Sequence, residues 1–135
     1  SGIHNYLVAG TGNKVEDFGI GFYTKYGDGG VDISPIADLT KTEVFNMASK
    51  LGVITKILEA KPTDGLWDDG RTDEDQIGAT YKELEWAMEQ KDNNKKSSDF
   101  QNREREVFDI LLKFNNQNSH KMNPIPIFIV PKDLK

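Results

Sequence analysis

The sequence has no cysteine, and only two tryptophans and five prolines among its 135 residues. The lack of cysteine excludes a disulfide framework, a thiolate nucleophile and a zinc–thiolate site, and it is compatible with a cytoplasmic location. No apolar run approaches the roughly 20 residues that a membrane-spanning helix requires. A net charge of −5 argues against a nucleic-acid or anionic-membrane partner, because such partners need a basic face. The composition therefore predicts one domain with one modest hydrophobic core.

Glycines are concentrated between residues 10 and 30, after the apolar run 6–9. This run predicts a short buried parallel strand that ends at Gly10-Thr11-Gly12. Asn13 followed by Glu16 has the spacing of a helix start, with Asn13 as the N-cap and Glu16 reaching back to the backbone N–H of the cap. A glycine-rich corner between a strand and a helix presents uncommitted N–H groups, which favours a bound anion such as phosphate.

The segment Gly27-Asp28-Gly29-Gly30 predicts a loop, since three glycines in four residues allow positive φ and offer nothing to a core. Lys25 and Asp32 flank it with opposite charges. Taken singly, Glu16 could be only a capping carboxylate and Lys25 only a solvated charge. The co-occurrence of seven glycines from residue 10 to residue 30 with these charged residues favours a ligand site.

The rest of the chain predicts helices that are joined by loops. Thr40 and Glu43 have capping-box spacing, and Lys41 is then the first residue of a helix that Gly52 ends. A cation there opposes the helix dipole at a cost of about 0.3–1 kcal/mol, which hints at a bound anion, although a solvated lysine explains it equally well. We expect further helices near residues 54–58, 72–78, 81–88 and 98–114, an aperiodic loop over 61–71 that could act as a lid, a polar connection over 90–98 and an extended tail over 124–131.

Several of these strings resemble the NAD synthetase family. The stretch G-T-G-N-K-V-E-D followed by G-F-Y-T-K-Y-G-D-G-G-V-D-I-S-P-I-A-D-L-T-K is similar to its C-terminal half at identical spacing. The similarity continues through K-P-T-D-G-L-W, T-D-E-D-Q-I-G-A-T-Y and H-K-M-N-P-I-P. The resemblance implies an α/β fold: residues 1–135 would be the C-terminal portion of one domain of the doubly wound, parallel-sheet ATP pyrophosphatase fold, and this portion would be mostly helical.

The resemblance also implies a reaction. ATP adenylates the carboxylate of deamido-NAD with loss of pyrophosphate, and ammonia then displaces AMP to leave the amide of NAD. Mg²⁺ is the implied cofactor, and a homodimer is the implied assembly. By position in the motifs, Glu16 corresponds to the Mg²⁺ ligand and Asp28 is a candidate catalytic residue that positions ammonia and the carboxylate. The remaining matches are the ATP contacts Thr11, Lys41 and Thr63 and the deamido-NAD contacts Lys25, Asp32, His120 and Lys121.

One family motif, the pyrophosphate loop S-G-G-x-D-S, does not occur in this sequence. Its backbone amides would cradle the ATP phosphates. We therefore expect the isolated chain to be inactive and to be a fragment of a longer enzyme. Two alternatives stay open: a non-catalytic module that binds nucleotides or dimerises, and another amide-forming ATP pyrophosphatase. The sequence does not distinguish free ammonia from a glutamine-derived nitrogen donor.

Overall fold

The computed structural model describes residues 1–63, 65–66 and 68–135 and is built mainly from helices. They are a π-helix at Lys14–Ile20, α1 (Lys41–Lys50), α2 (Thr55–Leu58), α3 (Asp73–Ile77), α4 (Tyr81–Asp92), α5 (Asn102–Gln117) and α6 (Ser119–Met122), with 3₁₀ turns at Ser97–Asp99 and Lys132–Leu134. Within the described ranges, every helix is too short or too polar to cross a membrane.

The predicted helix starts at Thr40 and Thr72 are confirmed. Thr40 Oγ1 accepts a hydrogen bond from the backbone N–H of Glu43 at 3.3 Å, and the Glu43 carboxylate accepts one from the Thr40 N–H at 2.8 Å. Thr72 and Asp75 form the same reciprocal pair at the start of α3. These boxes satisfy N–H groups that have no partner inside the helix, so they define where α1 and α3 begin.

The hydrophobic core lies where α4, α5 and the π-helix pack together. Its central side chains, which are almost fully buried, are Val15, Ile20, Leu84, Val107, Phe108 and Leu111. Phe100 lies at one side of this core, with ring centroids 5.1 Å from Trp86 and 5.0 Å from Phe108. The predicted long helix is therefore confirmed as a core element, and its buried face packs against the π-helix and α4.

The predicted buried strand over residues 6–9 is wrong in its burial and its length. Within the ranges that the structure describes, parallel pairing is limited to one bridge between Ala9 and Ile33. The Gly10 N–H donates to the Ile33 carbonyl at 2.7 Å, and the Asp32 N–H donates to the Val8 carbonyl at 2.9 Å. Tyr6 and Leu7 are 71% and 68% exposed, because this segment pairs along one edge only and no helix covers it.

The helix after the glycine corner has Asn13 as its N-cap, as predicted, but it is a π-helix and the role given to Glu16 in the cap is wrong. Asn13 Oδ1 accepts hydrogen bonds from the N–H groups of Val15 at 3.0 Å and Glu16 at 3.1 Å. The Glu16 side chain turns away from the cap, because Lys41 and Tyr81 donate to its carboxylate. Glu16 is thereby available to a site between helices.

The connection before the long helix also differs from the prediction. Helix α4 continues to Asp92, so part of the polar segment 90–98 is helical. Ser98 is not an N-cap, because it lies inside the 3₁₀ turn Ser97–Asp99 and α5 begins at Asn102 with Gln101 as its cap residue. Local side-chain capping by Asp99, which accepts from the Lys96 N–H at 2.9 Å, competes with an earlier start of α5.

Candidate functional site

The ion pair between Glu16 and Lys41 is the centre of the candidate site. Glu16 belongs to the first turn of the π-helix, and Lys41 is the first residue of α1. Lys41 Nζ lies 2.7 Å from Glu16 Oε1, and the two side chains are 18% and 17% exposed. The structure thus brings together two of the predicted site residues, which are 25 positions apart. Partial burial strengthens this ion pair relative to one in bulk water.

Tyr81 and Asp73 complete this cluster, although neither is among the predicted site residues. The Tyr81 hydroxyl donates a hydrogen bond to Glu16 Oε1 at 2.7 Å and lies 3.1 Å from Asp73 Oδ2. Lys41 Nζ lies over the Tyr81 ring, 4.8 Å from its centroid. Burial and the neighbouring Glu16 and Asp73 carboxylates raise the pKa of Tyr81 well above its ordinary value, so its hydroxyl stays protonated. The motif string that ends T-Y was the only signal for this residue.

The loop that contains Thr63 begins beside the same cluster. The Pro62 carbonyl accepts a hydrogen bond from the backbone N–H of Asp73 at 3.1 Å. Thr63 Oγ1 donates to the Arg71 carbonyl at 3.3 Å and accepts from the Gly65 N–H at 3.1 Å, which closes the loop on itself. Of the predicted lid residues, Leu66 is described and Trp67 lies outside the described residues.

Thr11 is exposed between the two glycines of the corner. Its neighbour Gly12 packs on Asp17, whose carboxylate oxygens lie 2.1 Å from the position that a Cβ on Gly12 would take. A larger residue at this position would therefore require the Asp17 side chain to move. Direct contacts join Glu16 to Lys41, whereas the convergence of Thr11 and Thr63 on that pair stays a prediction.

A cavity of about 650 Å³ lies next to the glycine loop and α6. Two predicted site residues, Asp28 and Lys121, line it, and Leu66 of the predicted lid lies at its edge. Its other lining residues are Gly21, Phe22, Tyr23, Thr24, Gln76, Phe114 and Asn118. The wall is mixed, with aromatic surface beside a carboxylate and an ammonium group, which suits a ligand with both a ring and polar groups.

The basic residues His120 and Lys121 are fastened to the loop after the π-helix. Lys121 Nζ donates to the carbonyls of Gly21 at 2.8 Å and Tyr23 at 2.6 Å. Lys25 Nζ donates to the His120 carbonyl. These contacts bring three of the four predicted deamido-NAD residues into one region, and they give Lys25 and Lys121 a structural role that the sequence did not predict.

Asp28 and Asp32 hold the two ends of the glycine loop. Asp28 Oδ1 accepts from the backbone N–H of Thr24 at 2.8 Å, which closes the turn. Asp32 Oδ2 accepts from the Val8 N–H at 2.8 Å, so this carboxylate supports the pairing of the two extended segments. Asp28 lines the cavity, and Asp32 is next in the chain to Ile33, which forms the bridge with Ala9. The predicted ligand roles of both carboxylates remain predictions.

Asp17 is a second carboxylate that the sequence analysis did not single out. Burial, with the nearby carboxylates of Glu16 and Asp28, raises its pKa to about 6. The pKa of Tyr23 is also raised, first by burial and then by Asp17 and Asp28. The charges of these acidic groups are therefore close enough to influence each other's pKa.

Mg²⁺ is the metal ion that the resemblance implies, and carboxylate oxygens would be its ligands in this chain. Among the residues that the structure describes, no group of three His, Asp or Glu side chains is arranged to hold a metal. Mg²⁺ is usually bound by one or two carboxylates, with waters and phosphate oxygens as its other ligands. Glu16, a partly buried carboxylate beside a cation, fits a single-ligand role of this kind.

The candidate site thus consists of a cation–carboxylate cluster, formed between the π-helix, α1 and α4, and a cavity with a mixed wall. The family model described as NAD synthase matches residues 1–125, so the chain belongs to that family. The NH(3)-dependent NAD(+) synthetase of Archaeoglobus fulgidus is 43% identical over 123 residues, which cover 91% of this chain and 47% of that protein. The enzyme of that name from Carboxydothermus hydrogenoformans is 56% identical over 81 residues, or 60% of this chain and 32% of its own length.

Two solved structures share the backbone arrangement. NMN synthetase from Francisella tularensis superposes with a TM-score of 0.74 and 31% identity, over 97% of this chain and 49% of that one. NH3-dependent NAD synthetase from Campylobacter jejuni, in complex with nitrate, gives a TM-score of 0.67 at 22% identity over 96% and 48%, and shows likeness of fold. The chain therefore spans half or less of the length of these relatives.

Proposed function

We propose that this chain supplies part of the active site of an ammonia-dependent NAD synthetase. The observation that carries the proposal is the Glu16–Lys41 ion pair, which joins two motif residues from different helices at 2.7 Å. The family match over residues 1–125 supports the same reaction. In that reaction, ATP adenylates the carboxylate of deamido-NAD, and ammonia then displaces AMP to form NAD.

The first step requires that negative charge on the departing pyrophosphate is stabilised. Lys41 supplies an ammonium group at the start of α1, where the N-terminal end of the helix dipole also favours an anion. We assign Thr11 and Thr63 as further ATP contacts. Glu16 is the assigned ligand of Mg²⁺, which when bound supplies positive charge to the phosphate oxygens. Such charge stabilisation lowers the barrier only if the groups are already in position.

The second step requires ammonia next to the activated carbonyl. We assign the cavity that Asp28 and Lys121 line to deamido-NAD, with Lys25, Asp32 and His120 as further contacts. Asp28 is assigned to position ammonia and the reacting carboxylate, and it can do so because the Thr24 N–H fixes its other oxygen in the glycine turn. Nitrogen attacks the carbonyl carbon, AMP leaves, and the nitrogen loses a proton to give the neutral amide.

Calorimetry on the 135-residue chain tests the ligand assignments. We expect ATP with Mg²⁺ and deamido-NAD each to bind, and Lys41→Met to weaken binding of ATP. Lys50→Met is the matched control, because Lys50 is exposed in the last turn of the same helix. Equal effects of the two substitutions would remove Lys41 from the site.

We also expect no turnover with ATP, deamido-NAD and ammonia, since the chain lacks the S-G-G-x-D-S loop, and rapid turnover would contradict this.

Two other functions are separated by the same titrations. Binding of ATP without deamido-NAD would favour a non-catalytic nucleotide-binding module. The likeness to an NMN synthetase at 31% identity favours a second candidate, in which the acid precursor of NMN takes the place of deamido-NAD. A higher affinity for nicotinate mononucleotide than for deamido-NAD would support that candidate.

We infer further that residues 1–135 are one portion of a doubly wound, parallel-sheet domain in a cytoplasmic homodimer. The exposed pairing segment around Leu7 and Val8 supports completion of a sheet by further strands. The tail residues Ile127, Phe128 and Ile129, which are 80% or more exposed, support an association through apolar surface. Sedimentation equilibrium tests the dimer, and a monomer at all concentrations would contradict it.

A further inference from the structure

We propose that Tyr81 is a positioning residue that holds the Glu16 carboxylate beside Lys41 and passes its hydrogen bond to Asp73 when a divalent cation occupies Glu16. The inference rests on the proposed function, because it takes Glu16 as the metal ligand and Lys41 as a contact of the triphosphate. It adds two residues to the site, Tyr81 and Asp73, and gives each a distinct role.

The position of Tyr81 is fixed from several sides. It is the first residue of α4 and is only 5% exposed. Its backbone N–H donates to Glu74 Oε1 at 2.8 Å, and the preceding Thr80 is the N-cap of the helix in a complete capping box. Its ring lies under Lys41 Nζ at 4.8 Å. A side chain held in this way can fix the positions of the Glu16 and Lys41 side chains next to it.

The hydroxyl of Tyr81 has one proton to donate and two carboxylates within reach. Glu16 Oε1, at 2.7 Å, is closer than Asp73 Oδ2, at 3.1 Å. The same Glu16 oxygen also accepts from Lys41. In the absence of a ligand this oxygen is thus committed to two donors, which orients it but occupies its lone pairs.

Under the proposed role, a divalent cation binds through Glu16 Oε1, the oxygen to which Tyr81 donates, and Tyr81 then releases that oxygen. Asp73 offers a second charge-assisted hydrogen bond in the same place, which offsets the loss of the first. Lys41, which donates to the same oxygen, is then available to phosphate oxygens. The geometry therefore assigns to Tyr81 a rotation of one O–H bond rather than a movement of the helix.

A purely structural role makes a different prediction. If the hydroxyl only satisfies buried carboxylates, its hydrogen bond does not change when nucleotide binds, and its removal weakens binding of ATP equally with and without Mg²⁺. Under the proposed role, removal of the hydroxyl acts on the metal-dependent part of the affinity.

Calorimetry on the full 135-residue chain measures this difference, with ATP titrated in the presence of Mg²⁺ and in the presence of a chelator. We expect the gain in affinity that Mg²⁺ confers to fall about tenfold in Tyr81→Phe, as the loss of a hydrogen bond to a charged group predicts. Tyr6→Phe is the control, since Tyr6 is 71% exposed and belongs to the N-terminal segment.

A second measurement needs no change at Tyr81. In wild-type protein with ¹³C at the tyrosine Cζ atoms, we expect the Tyr81 resonance to shift on addition of ATP with Mg²⁺ and to stay in place with ATP alone. The resonance is identified by exclusion with the variants Tyr6→Phe, Tyr23→Phe and Tyr26→Phe.

The outcomes separate the two proposals. A wild-type chain that binds no ATP in either condition overturns the nucleotide site and this inference with it. A wild-type chain that binds ATP with Mg²⁺ while the Tyr81 resonance stays unmoved overturns the inference alone. So does an unchanged Mg²⁺ gain in a folded Tyr81→Phe variant.

Discussion

Lys121 and Tyr23 hold each other through two reciprocal hydrogen bonds. Lys121 Nζ donates to the Tyr23 carbonyl at 2.6 Å, and the Tyr23 hydroxyl donates to the Lys121 carbonyl at 2.6 Å. The ammonium also lies 5.3 Å from the centroid of the Tyr23 ring. One wall of the cavity is therefore tied to the loop after the π-helix before any ligand binds.

Substitution of Lys121 by methionine tests this tie. Lys121→Met keeps much of the aliphatic stem but removes a charged donor from the carbonyls of Gly21 and Tyr23, so we expect a loss of about 1–3 kcal/mol in the free energy of unfolding. Urea denaturation measures it. Lys113→Met, at an exposed position of α5, is the control and should change stability by less than about 0.5 kcal/mol. Equal stabilities of the two variants would show that the hydrogen bonds of Lys121 do not stabilise the fold.

Alanine at Gly21 should be more damaging than alanine at Gly52. Both glycines have positive φ, of 63° and 75°. A Cβ on Gly21 would lie 2.5 Å from Asn118 Cβ, whereas a Cβ on Gly52 meets nothing within 4 Å. Gly52→Ala thus reports backbone strain alone, about 1 kcal/mol, and Gly21→Ala adds a clash that displaces α6. Thermal unfolding of both variants gives the difference, and equal midpoints would contradict the close approach.

Removal of core volume at Leu84 should destabilise the packing of α4 and α5. Leu84 is fully buried, whereas Leu51 is 77% exposed. We expect Leu84→Ala to lower the free energy of unfolding by about 2–5 kcal/mol and Leu51→Ala to change it by less than about 0.5 kcal/mol. Chemical denaturation measures both. A small effect at Leu84 would mean that the cavity left behind collapses.

The Glu83–Arg103 pair should make stability depend on acidic pH. The Arg103 guanidinium donates to both Glu83 oxygens, at 2.8 and 3.0 Å, and lowers the pKa of Glu83 from 4.5 to about 2. Since the folded pKa is depressed, the stabilisation is present above pH 4.5 and is lost as the pH falls toward 2. Because both side chains of the pair are partly exposed, solvent screening keeps its contribution to the free energy of unfolding small.

Denaturation at about pH 5 and about pH 3 measures this loss. Arg103→Met should reduce the pH dependence of stability, and Arg105→Met serves as the control because Arg105 pairs only with Asp109 at 3.9 Å among the ion pairs of the described residues. A pH dependence that is the same in Arg103→Met and wild type would contradict the assignment.

The helix starts were predictable from sequence because their signals are local. Thr40 with Glu43 and Thr72 with Asp75 satisfy backbone N–H groups within one turn, so spacing alone identifies them. Residues 6–9 were predicted less well, because an apolar run does not show what covers it. The predicted start of the long helix at residue 98 was wrong, because Asp99 caps the Lys96 N–H and Ser98 lies in the 3₁₀ turn before the helix.

The site was predictable only where a motif marked it. Lys41 was noticed because a cation at a helix start is costly, and the structure supplies an anion for it in Glu16. Tyr81 was not predicted, because it reads as one more core aromatic and its hydroxyl finds its partners across the fold. Its place in the site depends on a hydrogen bond to Glu16, 65 positions away in the sequence, and no local pattern encodes such a contact.

The side chains of two consecutive carboxylates on the π-helix point in different directions. Glu16 accepts hydrogen bonds from Lys41 and Tyr81, whereas Asp17 lies against Gly12 and its pKa is raised in part by the charge of Asp28. The backbone at this point is also held in the π turn, because both Gly21 and Phe22 donate to the Glu16 carbonyl. A single peptide unit thus separates the carboxylate of the ion-paired cluster from the carboxylate that lies against the glycine corner. Any insertion or deletion in this turn would alter the spacing of both at once.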